Sequence, residues 1–118
     1  MQSYFALILG AFIGSSIRYF FYLINLSAFG IPISTIIVNI IGSSLAGFFF
    51  GKFQNSVYVF MYVGIFGSLT TLSAFNLELF QLLSNKDFLR AVVYFLLNIA
   101  ITLAFFYIFQ LISLKIAS

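Results

Sequence analysis

The sequence predicts an all-α integral membrane protein with four transmembrane helices, the third of them broken. Three observations lead there. Of 118 residues, 64% are apolar and only 6% are charged, whereas a soluble domain carries about 25% charged residues. The apolar residues gather into four runs, each near the ~20 residues needed to cross a hydrocarbon core. The third run contains Gly64-Ile65-Phe66-Gly67-Ser68-Leu69-Thr70-Thr71-Leu72-Ser73-Ala74-Phe75-Asn76. Lipid does not tolerate clustered glycines and hydroxyls unless protein or a water-lined cavity satisfies the freed backbone. That segment is therefore either a packing site or the lining of a pathway.

The spans follow in order within a single domain covering 1–118. The first runs over 4–24, with Arg18 near its end, and the link from Asn25 to Gly30 is rich in turn formers. The second covers 32–52 and opens on Pro32, a residue suited to the first turn of a helix. The third covers 57–83 and holds the Gly/Ser/Thr cluster; the fourth covers 88–114, after a link of N-cap residues at Ser84 to Asp87. Met1-Gln2-Ser3 has no basic character and no Ala-x-Ala-like site follows, so the first run is expected to remain a span rather than a cleavable signal peptide.

Inventory excludes most chemistry. Without cysteine or histidine, and with two acidic residues in all, the chain lacks the parts for thiolate metal sites, acid–base pairs and most enzyme mechanisms. The net charge of +3 comes from scattered residues, which does not read as nucleic-acid binding. Four spans put Lys52 and Lys115 on one side and Arg18, Lys86 and Arg90 on the other. Orientation follows Lys/Arg asymmetry, and here the two sides nearly balance. The chain is thus expected to insert both ways up, so that two copies can pair about an axis in the membrane plane.

Residues four apart share a helix face. Thr35, Asn39 and Ser43 form such a stripe in the second span, and Tyr94, Asn98 and Thr102 form another in the fourth. An uncompensated amide or hydroxyl in hydrocarbon costs several kcal/mol, so both stripes should face protein or water, as interhelical glue or as the wall of a path. Gly10-x-x-x-Gly14 and Gly47-x-x-x-Gly51 fit small-residue helix packing. Arg18 can snorkel to the headgroups or draw anions into a vestibule. Glu78 is a carboxylate at membrane depth, functional unless it reaches the interface. Hydroxyls and amides donate hydrogen bonds and phenyl edges are electropositive, which suits a small hard anion. Because hydroxyls also accept, water and cations stay open on these grounds.

Along nearly its whole length the chain resembles the Fluc (CrcB-type) fluoride channel family. Gly10-Ala11-x-x-Gly14-Ser15-x-x-Arg18-Tyr19, Ser34-Thr35-x-x-Val38-Asn39-x-x-Gly42-Ser43-x-x-x-Gly47, Gly64-x-x-Gly67-x-Leu69-Thr70-Thr71-Leu72-Ser73-Ala74-Phe75-x-x-Glu78 and Ala91-x-x-Tyr94 carry the resemblance, in the family's order. It implies an antiparallel, dual-topology dimer in the cell membrane with two pores that export fluoride passively. Asn39 would match the pore asparagine and Phe75 the second residue of the phenylalanine box. Thr35, Ser73, Asn76, Glu78, Tyr94, Asn98 and Thr102 would match or neighbour the polar track, and Arg18 the vestibule arginine. The carbonyls of Gly67 and Thr70 would hold a structural sodium ion (Na+) at the dimer axis. Three positions depart from the family: Leu72 stands where the first box phenylalanine sits, Ser34 replaces a glycine, and Asn98 replaces a serine. Leu72 implies either a leaner pore in a homodimer or one half of a heterodimer with a partly decayed pore. The rival reading, a small multidrug transporter, needs a carboxylate in the first span, and none is present. A membrane scaffold, with the stripes as glue alone, is the non-transport rival.

Overall fold

The computed structural model describes residues 2–118; Met1, and with it the first residue of the N-terminal motif, lies outside the described residues. Helix α1 (Gln2–Ile24) is followed by a two-stranded hairpin, β1 (Ser27–Ala28) and β2 (Ile31–Pro32), then by α2 (Ser34–Phe48). The third apolar run forms two helices, α3 (55–69) and α4 (Leu72–Ser84). The fourth is one long helix, α5 (Phe88–Ala117). Three stretches, Gln2–Ile24, Asn55–Ser84 and Phe88–Ala117, are long and apolar enough to cross a membrane. Large apolar side chains point outward along them, from Tyr4, Phe5 and Phe12 to Leu103, Tyr107 and Leu111. That is how a chain is arranged when its surroundings are hydrocarbon.

The second run differs from expectation. Its helix is 15 residues long, about 22 Å at 1.5 Å per residue, against a hydrocarbon core of about 30 Å. Pro32 does not open the helix; it pairs with Ser27 in the hairpin ladder. The two-residue turn between the strands, Phe29-Gly30, has φ of 55° and 77°, the left-handed pair of a type I′ turn. Arg90 holds that turn from α5: its Nε donates to the Phe29 carbonyl at 2.6 Å, and its Nη1 meets Asp87 at 2.7 Å. The helix then begins at Ser34, whose hydroxyl accepts the Leu26 N–H at 2.8 Å.

Glycine sets the helix pairs. α1 packs along α3 and α2 along α5. At the first contact Gly10 and Gly64 face each other so closely that a Cβ on Gly64 would lie 2.8 Å from the Gly10 Cα. At the second, a Cβ on Gly47 would strike the Phe106 main chain. Small residues therefore let backbones meet where lipid supplies no hydrophobic drive. Gly51 is a correction to the Gly47-x-x-x-Gly51 reading: it has open space around it and a φ of +77°, so it makes the turn after α2 rather than a helix contact. The core joins Ile31, Ile36, Phe75, Leu82, Ala91 and Tyr94, so the hairpin, α2, α4 and α5 close on one another. Both long runs also widen to π geometry, over Val59–Phe66 and Leu97–Ile101, a form that accumulates near functional sites.

Candidate functional site: a broken helix beside two polar stripes

The third run breaks between Leu69 and Leu72. Thr70 is extended, with ψ of 155°, and Thr71 follows at φ −145° and ψ 124°. Thr71 then caps α4: its hydroxyl accepts the Ala74 N–H at 3.2 Å, which satisfies one of the first-turn donors a helix leaves open. The freed Thr71 N–H is taken by another helix. Asn39 of α2 accepts it through Oδ1 at 2.8 Å, while Asn39 Nδ2 lies 3.4 Å from the Thr71 carbonyl. One side-chain amide thus brackets the break from both sides, as buried backbone groups require.

The two stripes meet at the same place. Asn39 Nδ2 donates to Asn98 Oδ1 at 2.8 Å, and Asn98 Nδ2 donates to the Tyr94 carbonyl at 3.2 Å. Thr102 donates its hydroxyl to the Asn98 carbonyl, one turn back. Tyr94 is 0% exposed, its ring stacks on Phe75 at 5.5 Å, and its hydroxyl lies by the Thr35, Glu78 and Asn98 side chains. One turn up α2, Thr35 donates to Glu78 of α4. Thr35, Asn39, Phe75, Tyr94, Asn98 and Thr102 are all buried in one neighbourhood.

Two hollows adjoin the break. One, about 210 Å³, is lined by Asn39, Ser43, Thr70, Thr71, Leu72, Phe75, Asn98, Ile99 and Thr102. The other, about 520 Å³, opens beneath the hairpin and is lined among others by Arg18, Asn25, Ser34, Thr35, Thr71, Glu78 and Gln81. Thr71 lines both. Arg18, half-buried, donates from Nε to the Ser68 carbonyl at 2.9 Å and lines the larger hollow.

Not every expected residue converges. Ser73 and Asn76 are exposed on the outer side of α4, and Leu72 is 67% exposed at the rim of the smaller hollow. Gly67 is exposed just before the break; Thr70 is half-buried and donates its hydroxyl to the Phe66 carbonyl at 3.1 Å. Two residues outside the expected set hold the site together. Thr71 caps α4 and meets Asn39, and Ser68 supplies the carbonyl that takes Arg18. A threonine followed by an apolar helical run is a capping signal, so Thr71 was within reach of the sequence; the partner of Ser68 lies fifty residues away and was not.

Comparison with known proteins decides the family. The model of the CrcB-like protein, Camphor Resistance (CrcB) family matches residues 5–109. The chain belongs to the CrcB family. Among CrcB relatives, a fluoride-specific ion channel FluC of Methanococcus maripaludis is 36% identical over 111 residues, covering 90% of this chain and 91% of its own. A FluC of Methanococcus vannielii is 33% identical, covering 96% and 97%. A third, from Clostridium perfringens, is 34% identical, covering 86% of each chain. These relatives are ion channels, not enzymes, and this CrcB protein is a multi-pass membrane protein.

Proposed function

We propose that this protein is a fluoride-specific ion channel of the cell membrane, releasing fluoride from the cytoplasm down its electrochemical gradient. The observation that carries the reading is that two hollows flank the helix break and share Thr71 in their walls. An anion drawn toward Arg18 reaches Thr35 and Glu78, passes Thr71, and arrives among Asn39, Phe75, Asn98 and Thr102. Conduction requires that the lost hydration shell be replaced by groups that bind well enough to admit the ion and weakly enough to release it. Neutral hydroxyls, amides and the Phe75 ring edge have that character.

The working unit we infer is an antiparallel pair of four-span chains inserted in opposite orientations. The near balance of basic residues across the membrane supports it, as does the smaller hollow, which opens on the face where Leu72 stands exposed. In this arrangement α2 crosses as the second of the four spans with help from the hairpin and the turn at Gly51. Ser73 and Asn76, outward on each chain, would face the partner. Sodium is the cofactor we infer, held by the carbonyls of Gly67 and Thr70, where it would fix the charge and spacing of the break. Their chemistry fits. The Thr71 and Ala74 N–H groups that would close those two carbonyls in a helix go instead to Asn39 and the Thr71 hydroxyl, and bare carbonyls suit a hard cation. Leu72 favours a second reading, in which this chain is one half of a heterodimer.

The test is a fluoride-electrode efflux trace from proteoliposomes, with chloride as control. Fluoride should leave and chloride should not. Absence of fluoride flux from the purified chain, with flux restored by a second related chain, supports the heterodimer; uptake of a quaternary ammonium dye in place of fluoride release would favour the multidrug transporter.

A further inference from the structure

The hairpin between α1 and α2 carries no residue of the polar stripes, yet it forms one wall of the larger hollow. Ser27, Gly30 and Ile31 line that hollow together with Arg18 of α1 and Glu78 and Gln81 of α4. A ladder of two residue pairs is too short to hold itself, since even full-length hairpins are marginal alone. Its turn is also strained. Phe29 has a φ of 55°, a left-handed value that a non-glycine residue keeps only when its surroundings impose it. The hairpin therefore stands where α5 puts it, through two neighbouring residues of the first turn. Ala91, 3% exposed, joins Ile31, 8% exposed, in the core. Arg90 donates from Nε to the Phe29 carbonyl at 2.6 Å, and Asp87 holds its Nη1 at 2.7 Å. The exposed ion pair contributes little by itself but aims the guanidinium, and a charged donor makes the stronger kind of hydrogen bond to the turn. Gly30 completes the fit: a Cβ there would lie 2.7 Å from the Arg90 Nε.

We propose that Arg90 is a positioning residue for ion entry: by strapping the Phe29 turn it keeps the hairpin as a wall beside Arg18, so that the Arg18 field is focused along the hollow. Arg90 is not among the residues lining the hollow, so it acts through the wall and not as a group on the ion's route. A charge between low-dielectric walls raises the local concentration of counter-ions and their rate of entry. The same charge in open water is screened by salt. With the strap released, the hollow loses that wall and Arg18 meets bulk electrolyte. This assignment rests on the channel reading and adds to it what shapes the entrance.

The test uses the full chain in proteoliposomes, with two variants that keep every charge. Arg90→Lys has a single ammonium in place of the fork that holds Phe29 and Asp87 together. Gly30→Ala drives the Arg90 side chain from the turn. The chain has no cysteine, so a nitroxide on Phe29→Cys, at a position 92% exposed, reports the hairpin alone. Its mobility should rise in both backgrounds. Without the label, fluoride efflux in both variants should fall about 10-fold at an ionic strength of about 0.01 M, the low end of what focusing supplies. It should approach wild type at about 1 M, where the screening length shrinks to about 3 Å. A damaged fold would lower efflux alike at both ionic strengths, so the salt dependence separates positioning from support. A label as still in both variants as in wild type overturns the strap. A mobile hairpin with wild-type efflux at low ionic strength, or a loss equal at both ionic strengths, overturns the role in entry and leaves the channel standing. A wild-type chain that passes no fluoride overturns both.

Discussion

Asn39→Leu removes the bracket around the helix break while nearly conserving volume. The wild-type side chain satisfies the half-buried Thr71 N–H at 2.8 Å and gives a hydrogen to Asn98 Oδ1 at 2.8 Å. Leucine leaves both groups unpaired, at about 1–3 kcal/mol each, or about 2–6 kcal/mol together. The Asn39→Asp variant separates the two terms. Its carboxylate still accepts from Thr71, so the break keeps its partner, but it sets oxygen against Asn98 Oδ1 and turns that amide around. Reversible unfolding in detergent, followed by circular dichroism, should rank wild type above Asp and Asp above Leu. Fluoride efflux from liposomes should be nearly abolished in both, for different reasons: the Leu variant loses the shape of the break, and the Asp variant puts a negative charge and a reversed amide on the route. Stability of the Leu variant within about 1 kcal/mol of wild type, an amount below the cost of even one orphaned group, would refute the bracket. Undiminished flux in the Asp variant would refute the place of Asn39 on the path.

Three further outcomes are expected. Phe75→Ile removes the ring stacked on Tyr94 at 5.5 Å and should nearly abolish fluoride efflux; unchanged flux would take Phe75 off the path. Gly47→Ala pushes a methyl against the Phe106 main chain, an overpacking that costs about 1–3 kcal/mol, and should lower the melting temperature and the flux together by parting α2 from α5. Gly51→Ala, which meets nothing within 4 Å, should cost only the left-handed backbone penalty and serves as its control. Exchange of sodium for N-methylglucamine during purification should loosen the dimer, read by cross-linking or light scattering, or silence the flux; indifference to sodium would leave the Gly67 and Thr70 carbonyls without a metal role.

What could be read from the sequence was whatever depends on spacing along one helix. The apolar runs gave the three long helices, and the four-residue spacing of Thr35, Asn39 and of Tyr94, Asn98, Thr102 placed these residues on buried faces. The Gly/Ser/Thr cluster announced a break. What escaped was decided between elements. Pro32 fits the first turn of a helix by propensity, but the hairpin claims it because Arg90, fifty-eight positions on, holds the turn at Phe29. Phe29 itself, 92% exposed with a positive φ, is not a residue that local rules assign to a type I′ turn. Gly47 and Gly51 look alike in sequence; only the neighbour at Phe106 makes one a contact and leaves the other a turn. The π-widened segments have no sequence signature of comparable strength.

Glue and pathway are not competing descriptions of these stripes. A buried amide pair such as Asn39–Asn98 joins α2 to α5, and in a bundle without a hydrophobic drive between helices that bond contributes to assembly. The same bond fixes which way both amides are turned beside the helix break. An unpaired polar group in a dry interior is costly, and the Tyr94 hydroxyl, at 0% exposure, lies with Thr35, Glu78 and Asn98 about it. The polar groups of α2, α4 and α5 thus gather into one buried knot, and Asn39, Asn98 and Thr102 of that knot are at the same time the wall of the smaller hollow, so any substitution there perturbs helix packing and the hollow together.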